Sequence, residues 1–476
     1  MFGFNRQQVT ILHLSWIAFF LTFVSWFNLA PFNTTLIATM GLTEGQMRVL
    51  MIANVALTIP ARILIGPLVD ALGPKRVFVG VLLFTGGVCF LFAMSRTFND
   101  LLVSRLLMGM SGAGFVVGIK MIAEWFPREK MGTAQGLYAG WGNFGAAAAA
   151  FTLPLLASFY SPDMGWRAAA TLCGACCLLW AAVYHSFARD VPDSTNGFEL
   201  GLDHAIEVTS YRDLVLQILI MIPVFTALGL LVFKLATPPA EWLSPRAFWA
   251  TIFVLSGLFA WNAVSCVRYN AGIIGTELGP ERRYAFKQIA ILSLVYALTF
   301  GSELAVVSMF PEFLEQTFAL PAVVAGVLGS CFAFFNLVTR PLGGGLADRF
   351  GRRRVLFFLV AGSGICYWIM GGMDADWPVV LAVGMAVLCS VMIQAGNGAC
   401  FAMIPLVRRD LTGQLAGVAG AYGNVGAVMF LTVLSFVSVS VFFYVIAGYA
   451  LLVTLSLAFL DPFDKPHPSF NRNRGV

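Results

Sequence analysis

Long apolar runs separated by short polar breaks set the pattern of this chain. About 20 consecutive apolar residues span a bilayer as a helix. By that measure, runs near 11–31, 47–70, 77–95, 101–125, 133–159 and 167–188 predict six spanning helices. A polar stretch from Arg189 to Asp213 follows, carrying Asp190, Asp193, Glu199, Asp203 and Glu207. Two more apolar runs, near 214–236 and 247–266, are joined by Thr237-Pro-Pro-Ala-Glu-Trp-Leu-Ser-Pro-Arg246, and 267–287 is polar again. Six further runs lie near 288–313, 321–347, 355–373, 378–404, 414–438 and 440–460. The order predicts an all-α polytopic membrane protein: a six-helix bundle over 1–190, a linker with an inserted apolar hairpin over 191–286, a second six-helix bundle over 287–462, and a cytoplasmic tail over 463–476. Lys234, near the end of 214–236, keeps a second reading open, in which the hairpin lies on the membrane surface.

The two sets of six are related. Arg62-Ile-Leu-Ile-Gly66-Pro-Leu-Val-Asp70-Ala-Leu-Gly73-Pro-Lys75-Arg76-Val77 has a counterpart 278 residues later, Arg340-Pro-Leu-Gly-Gly344-Gly-Leu-Ala-Asp348-Arg-Phe-Gly351-Arg-Arg-Arg354-Val355. A second echo, at an offset of 281, pairs Gly140-Trp-Gly-Asn143-Phe-Gly145 with Ala421-Tyr-Gly-Asn424-Val-Gly426. Parallel repeats of this kind relate two halves about an axis along the membrane normal and place a site where the halves meet. Each cassette ends an apolar helix in a Gly/Asp/Gly/basic turn and carries one arginine eight residues further in, about 12 Å of helix away. An intramembrane arginine costs about 2.5–3.5 kcal/mol even on lenient insertion scales. Two of them facing one cleft repel each other, which points to an anionic cargo. The alternative for each is a pairing with a helix end or a gating network, with some snorkelling.

Composition narrows the class. The 476 residues are 59% hydrophobic and 11% charged, with a mean hydropathy of +0.83, whereas soluble domains carry about 25% charged residues. Basic residues (Lys75, Arg76, Arg128, Lys130, Arg189, Arg212, Arg282, Arg283, Lys287, Arg352–Arg354, Arg408, Arg409) gather on one side of the predicted topology. That places both termini in the cytoplasm and makes a plasma, or inner, membrane the expected location. A net charge of +5 held at segment ends does not suit nucleic-acid binding. The run Ile11–Pro31 reads as a first helix rather than a signal peptide, since no small-residue cleavage site follows it. The nine cysteines sit almost wholly in apolar runs, so Cys173-x-x-Cys176 reads as soft packing rather than redox chemistry. The four histidines show no metal-ligand spacing, and no nucleotide loop or nucleophile set is present. No cofactor, enzyme chemistry or obligatory protein partner is expected.

These segments carry a resemblance. The cassettes resemble the loop motif between the second and third helices of the major facilitator superfamily and its counterpart in the second half. Arg105-Leu-Leu-Met-Gly109-Met-Ser-Gly112 is similar to its fourth-helix motif, and the two Gly/Asn segments resemble the nitrate signatures of its nitrate/nitrite porter family. Gly301-Ser-Glu303-Leu is similar to the seventh-helix sequence of proton-coupled members. The likeness covers roughly 10–190 and 285–460; the insertion at 214–266 and Lys120 depart from a plain twelve-helix member.

The resemblance implies two bundles rocking around a mid-membrane site, with nitrate, and nitrite as well, as cargo and the two arginines as its ligands. The chemistry agrees, since guanidinium is planar and always charged and two opposed groups can each bond planar nitrate through two N–H donors. Phe115, Tyr296 and Phe300 match pocket positions that wall the anion; packing is their alternative role. Asn143 and Asn424 either reach the cleft or bridge helices. Glu303, mid-helix, is the expected proton carrier; a structural ion pair to an arginine is its alternative. Asp70, Arg76, Asp348 and Arg354 are expected to gate the cytoplasmic side, the aspartates by capping a helix N-terminus or binding a basic residue. Lys120 and Glu124 read as a local ion pair. Nitrate/nitrite exchange, or passage of another anion, are the rival activities.

Overall fold

A computed structural model describes residues 3–191, 206–238, 240–274, 284–434 and 436–462. The expected tail at 463–476, Arg282 and Arg283 lie outside the described residues. Helices and turns are the only regular structure among those described. They are α1 Arg6–Trp26, α2 Asn33–Met40, α3 Glu44–Ala56, α4 Thr58–Leu72, α5 Pro74–Ala93, α6 Phe98–Gly109, α7 Gly114–Trp125, α8 Met131–Ala157, α9 Pro162–Phe187, α10 Tyr211–Leu219, α11 Met221–Ala236, α12 Pro245–Ala271, α13 Lys287–Phe318, α14 Ala322–Phe334, α15 Asn336–Phe350, α16 Arg352–Gly371, α17 Val379–Val407, α18 Thr412–Leu434 and α19 Val439–Ser456.

The sequence repeat is a structural repeat. α4 and α15 have 15 residues each and start 278 positions apart; α5 and α16 have 20 each at the same offset. Each cassette turn pivots on a glycine with positive φ, +83° at Gly73 and +94° at Gly351. L side chains rarely adopt that backbone, so glycine is required there. The apolar runs predicted near 47–70 and 321–347 are each interrupted one residue before the cassette helix, at Leu57 and Phe335. Apolar patterning does not register such breaks, because both segments stay hydrophobic through them.

Twelve helical stretches among the described residues are long and apolar enough to cross a membrane, including the inserted Tyr211–Ala236 and Pro245–Ala271. The two long stretches outside that set are α8 and the broken pair α14–α15. They pack on each other, so their polar and glycine faces meet protein rather than lipid. The inserted helices sit at the periphery: α11 packs against α3 and α18, while only 6% of the apolar window of α12 is buried. The architecture is two pseudo-symmetric helical bundles with an apolar helix pair inserted between them in sequence.

Candidate functional site

The two arginines share one place. Arg62 and Arg340 are each 1% exposed. The Arg62 Cζ lies 5.5 Å from the centroid of the Phe300 ring and the Arg340 Cζ lies 5.4 Å from the same centroid. Their separation is therefore capped at the sum of those two distances. At that limit, two unit charges at an effective dielectric of about 20 repel by about 1.5 kcal/mol. Desolvated cation–π contact with an aromatic face returns roughly 2 kcal/mol, and Arg62 has a second such face, Phe115, at 5.1 Å.

The aromatic residues form the wall. Phe115 from α7 and Tyr296 from α13 stack at 6.1 Å with planes 2° apart, and Tyr296 and Phe300, four residues apart on α13, stack at 5.1 Å and 1°. Phe401 from α17 closes this stack edge-on, 4.6 Å from Phe115 and 4.5 Å from Tyr296. The Tyr296 hydroxyl interacts with both guanidinium groups. Two cations, one phenol and three parallel rings from both halves thus converge on one buried spot.

The arginines differ in how they are held. Arg62 donates Nε to the Gly112 carbonyl at 3.1 Å and a terminal N–H to the Gly420 carbonyl at 2.7 Å. Both acceptors are neutral, so its charge has no carboxylate partner in these bonds. Arg340 donates Nε to Asn336 Oδ1 at 2.8 Å and a terminal N–H to Glu303 Oε2 at 3.3 Å. Glu303 is 4% exposed and also accepts from Asn336 Nδ2 and, at 2.8 Å, from Asn397 Nδ2. Three donors on one carboxylate offset its desolvation.

Asn336 and Asn397 are absent from the sequence-derived set. Asn336 stands four residues before Arg340 on one helix, a spacing that places both side chains on one face; its repeat counterpart is Thr58, so the duplication did not mark it. Asn397 is an amide inside the long apolar α17, and such a buried group needs partners. Of the two signature asparagines, Asn143 turns back to its own helix, donating to the Ala139 carbonyl at 2.7 Å. Asn424 Nδ2 reaches the Gly420 carbonyl at 3.5 Å, the oxygen that also receives Arg62.

The site is shut on the side of the cassette turns. Asp70 Oδ1 and Oδ2 accept the backbone N–H groups of Gly413 and Gln414 at 3.0 and 2.9 Å, in the first turn of α18. Asp348 Oδ2 accepts that of Thr133 at 3.0 Å, in the first turn of α8. Each aspartate thus caps a helix of the other half, where the helix dipole favours negative charge. Between these caps and the arginines, glycines let the backbones touch. A Cβ on Gly66 would lie 2.6 Å from the Gly413 oxygen, and one on Gly136 would lie 2.7 Å from the Arg340 oxygen.

The cations of these seams are not the predicted ones. Arg76 and Arg354 are exposed. Asp348 pairs instead with Arg352 at 2.8 Å, and Asp70 with Lys120 at 2.9 Å. The repeat explains the difference: the counterpart of Arg352 is Pro74, so the first half takes its cation from α7. Lys120 also meets Glu124, at 3.8 Å, and donates to the Arg409 and Asp410 carbonyls. Asp190, beyond α9, accepts the Lys75 N–H at 2.9 Å; burial pushes its carboxyl above the ordinary aspartate range, and that bond pulls back.

Two related helical bundles around a buried, charged site at their seam, with aspartates of each half capping a helix of the other, are the architecture of a polytopic membrane transporter. The chain matches the Major Facilitator Superfamily over residues 15–287 and 292–475. It is 40% identical over 461 residues to the "Nitrate/nitrite transporter NrtP" of Picosynechococcus sp., covering 91% of this chain and 86% of that one, and 39% identical over 477 residues to the protein of the same name in Nostoc punctiforme, covering 99% and 95%. "Nitrate transporter 2.1" of Chlamydomonas reinhardtii is 28% identical over 436 residues, covering 89% of this chain and 68% of that one. Among solved structures, the human organic anion transporter MFSD10 (TM-score 0.62, 15% identity, covering 95% of this chain and 100% of that one) and the proton:xylose symporter XylE (0.62, 12%, 97% and 98%) share the fold. The chain belongs to the nitrate/nitrite porter family of the Major Facilitator Superfamily; it is a transporter, not an enzyme.

Proposed function

We propose that the protein imports nitrate, and nitrite with it, across the plasma membrane together with protons, by alternating access. The observation that carries this reading is the pair of buried guanidinium groups that both lie within 5.5 Å of the Phe300 ring centroid, one paired to Glu303 and one held by neutral carbonyls. A small planar anion between them receives N–H donors from both sides and relieves their mutual repulsion. The close aromatic wall favours a compact oxyanion over a larger organic one.

Glu303 supplies the coupling. Nitrate and the carboxylate compete for the same Arg340 N–H groups. With Glu303 ionised, Arg62, Arg340 and Glu303 sum to one positive charge; with nitrate bound and Glu303 protonated, the sum is unchanged. The charge that crosses the barrier is then the same loaded and empty. In the same reading, residues 1–190 and 287–462 are the moving bundles, 191–286 links them, both termini face the cytoplasm, and the Asp70 and Asp348 caps are the cytoplasmic gate.

The test is uptake of labelled nitrate into proteoliposomes with pH gradient and voltage imposed separately. Inward-directed protons should drive accumulation in the native protein, and Glu303→Gln should abolish that drive. Full pH-driven uptake by Glu303→Gln removes the carboxylate from the mechanism. Uptake that needs internal nitrite and ignores the gradient replaces symport with exchange.

A further inference from the structure

Glu303 is surrounded by donors only. Asn336 Nδ2 points to Oε1, while Asn397 Nδ2 and an Arg340 N–H point to Oε2. A carboxylate suits this nest, but a carboxylic acid does not. Its new O–H is a donor, and a buried donor facing other donors is left unsatisfied. One neighbouring amide must turn over to offer its oxygen.

The two asparagines are not equal in this respect. Asn336 Oδ1 already holds Arg340 Nε at 2.8 Å, so turning it breaks a bond to a charged group. Asn397 Oδ1 is buried and has no hydrogen-bond partner among the described residues. Turning Asn397 breaks nothing on that side, and it sits 1% exposed, out of competition with water.

Resting on the proton-coupled reading above, we propose that Asn397 is the positioning residue for the carried proton. Its carboxamide donates to Glu303 while the acid is charged and turns about its Cβ–Cγ bond to accept from it once protonated. The proton arrives from water on the side facing out, bonds Glu303 Oε2, and is held between Oε2 and Asn397 Oδ1. Arg340, released from the neutralised acid, is then free for the anion. When the proton leaves on the other side, the amide turns back and Arg340 returns to the carboxylate.

Other groups around Glu303 do not offer this service. The charged and titratable groups that face it are Arg340 from α15, Tyr367 from α16 and Tyr296 from its own helix, with Arg62 beyond the Tyr296 hydroxyl. Tyr367 gives its O–H to Ser302 at 2.8 Å. α8, α14, α17, α18 and α19 carry no charged residue. On the last three, Tyr422 bonds the Ile220 carbonyl, Tyr449 that of Leu294 and Cys400 that of Leu292.

The experiment compares native protein, Glu303→Gln, Asn397→Leu and Asn397→Ser in proteoliposomes. Net nitrate uptake under a pH gradient requires Glu303 to change protonation every cycle; nitrate exchange at equal low pH does not. In Asn397→Leu the ratio of net uptake to exchange should fall at least about fivefold, the size of one buried O–H donor left unsatisfied on the protonated acid. Asn397→Ser, whose hydroxyl donates or accepts, should recover most of it. Infrared difference spectra across an acid step should show a protonated-carboxyl band that Glu303→Gln lacks and that Asn397→Leu moves to higher wavenumber. An unmoved band in Asn397→Leu, or net uptake and exchange falling together, overturns this inference alone. A Glu303→Gln protein that keeps pH-driven uptake overturns the coupling reading and this inference with it.

Discussion

Alanine at a seam glycine tests whether the closed side depends on bare backbone. The chosen change is Gly344→Ala. A Cβ there would lie 2.0 Å from the Gly132 carbonyl oxygen and 2.6 Å from its carbon, where ordinary contact is 3.4–4 Å. Neither atom belongs to a side chain that can step aside, so α15 and α8 must part by about 1 Å or more. Overpacking of this kind costs about 1–3 kcal/mol, and the cost falls on the closed state alone. That converts to a shift of about 5- to 150-fold toward the form open on the cassette side. Alanine also raises helix propensity by up to about 1 kcal/mol, so a loss of the closed form cannot be assigned to a weaker helix. Spin labels at Arg76→Cys and Arg354→Cys, both exposed on the cassette turns, report the gap by pulsed electron resonance. Longer distances should gain population in Gly344→Ala but not in Gly80→Ala, whose added Cβ would meet nothing within 4 Å. Identical distance distributions for the two variants, both folded, refute the bare-backbone account.

Arg340→Lys should weaken nitrate binding by roughly 10- to 100-fold, since a point charge replaces a two-pronged donor; calorimetry in detergent measures it, and a change under twofold excludes Arg340 as a direct ligand. Arg62→Lys should do the same while leaving Glu303 bonded to Arg340. Lys120→Met strands Asp70 among backbone donors inside the protein, and breaking a buried pair costs about 3–5 kcal/mol. Its thermal midpoint should drop, and the double variant with Asp70→Asn should recover part of the loss; equal midpoints for native and Lys120→Met would show the ion pair to be idle.

Much of the fold was legible because bilayer length and the 278-residue repeat are both written in the order of residue types. The same repeat pointed to Arg62 and Arg340 together. What stayed hidden depended on three-dimensional partners. The break at Leu57 and Phe335 sits inside continuous apolar sequence. Asn336 has a threonine as its counterpart, so symmetry could not single it out. Arg76 and Arg354, where the cassettes align, are exposed, whereas Pro74 in place of Arg352 leaves the first-half aspartate paired with Lys120 from another helix. A pattern read along one helix does not reveal which charge a neighbouring helix brings to it.

The aspartate caps have a consequence for timing. Thr133, Gly413 and Gln414 offer amide hydrogens to carboxylates carried by the opposite bundle. Under the proposed alternating access, those hydrogens meet solvent each time the bundles separate on that side, while the other amides of the same helices keep their partners within the helix. Their deuterium uptake therefore acts as a clock built into the backbone, ticking once per excursion, and anything that arrests the cycle should silence it.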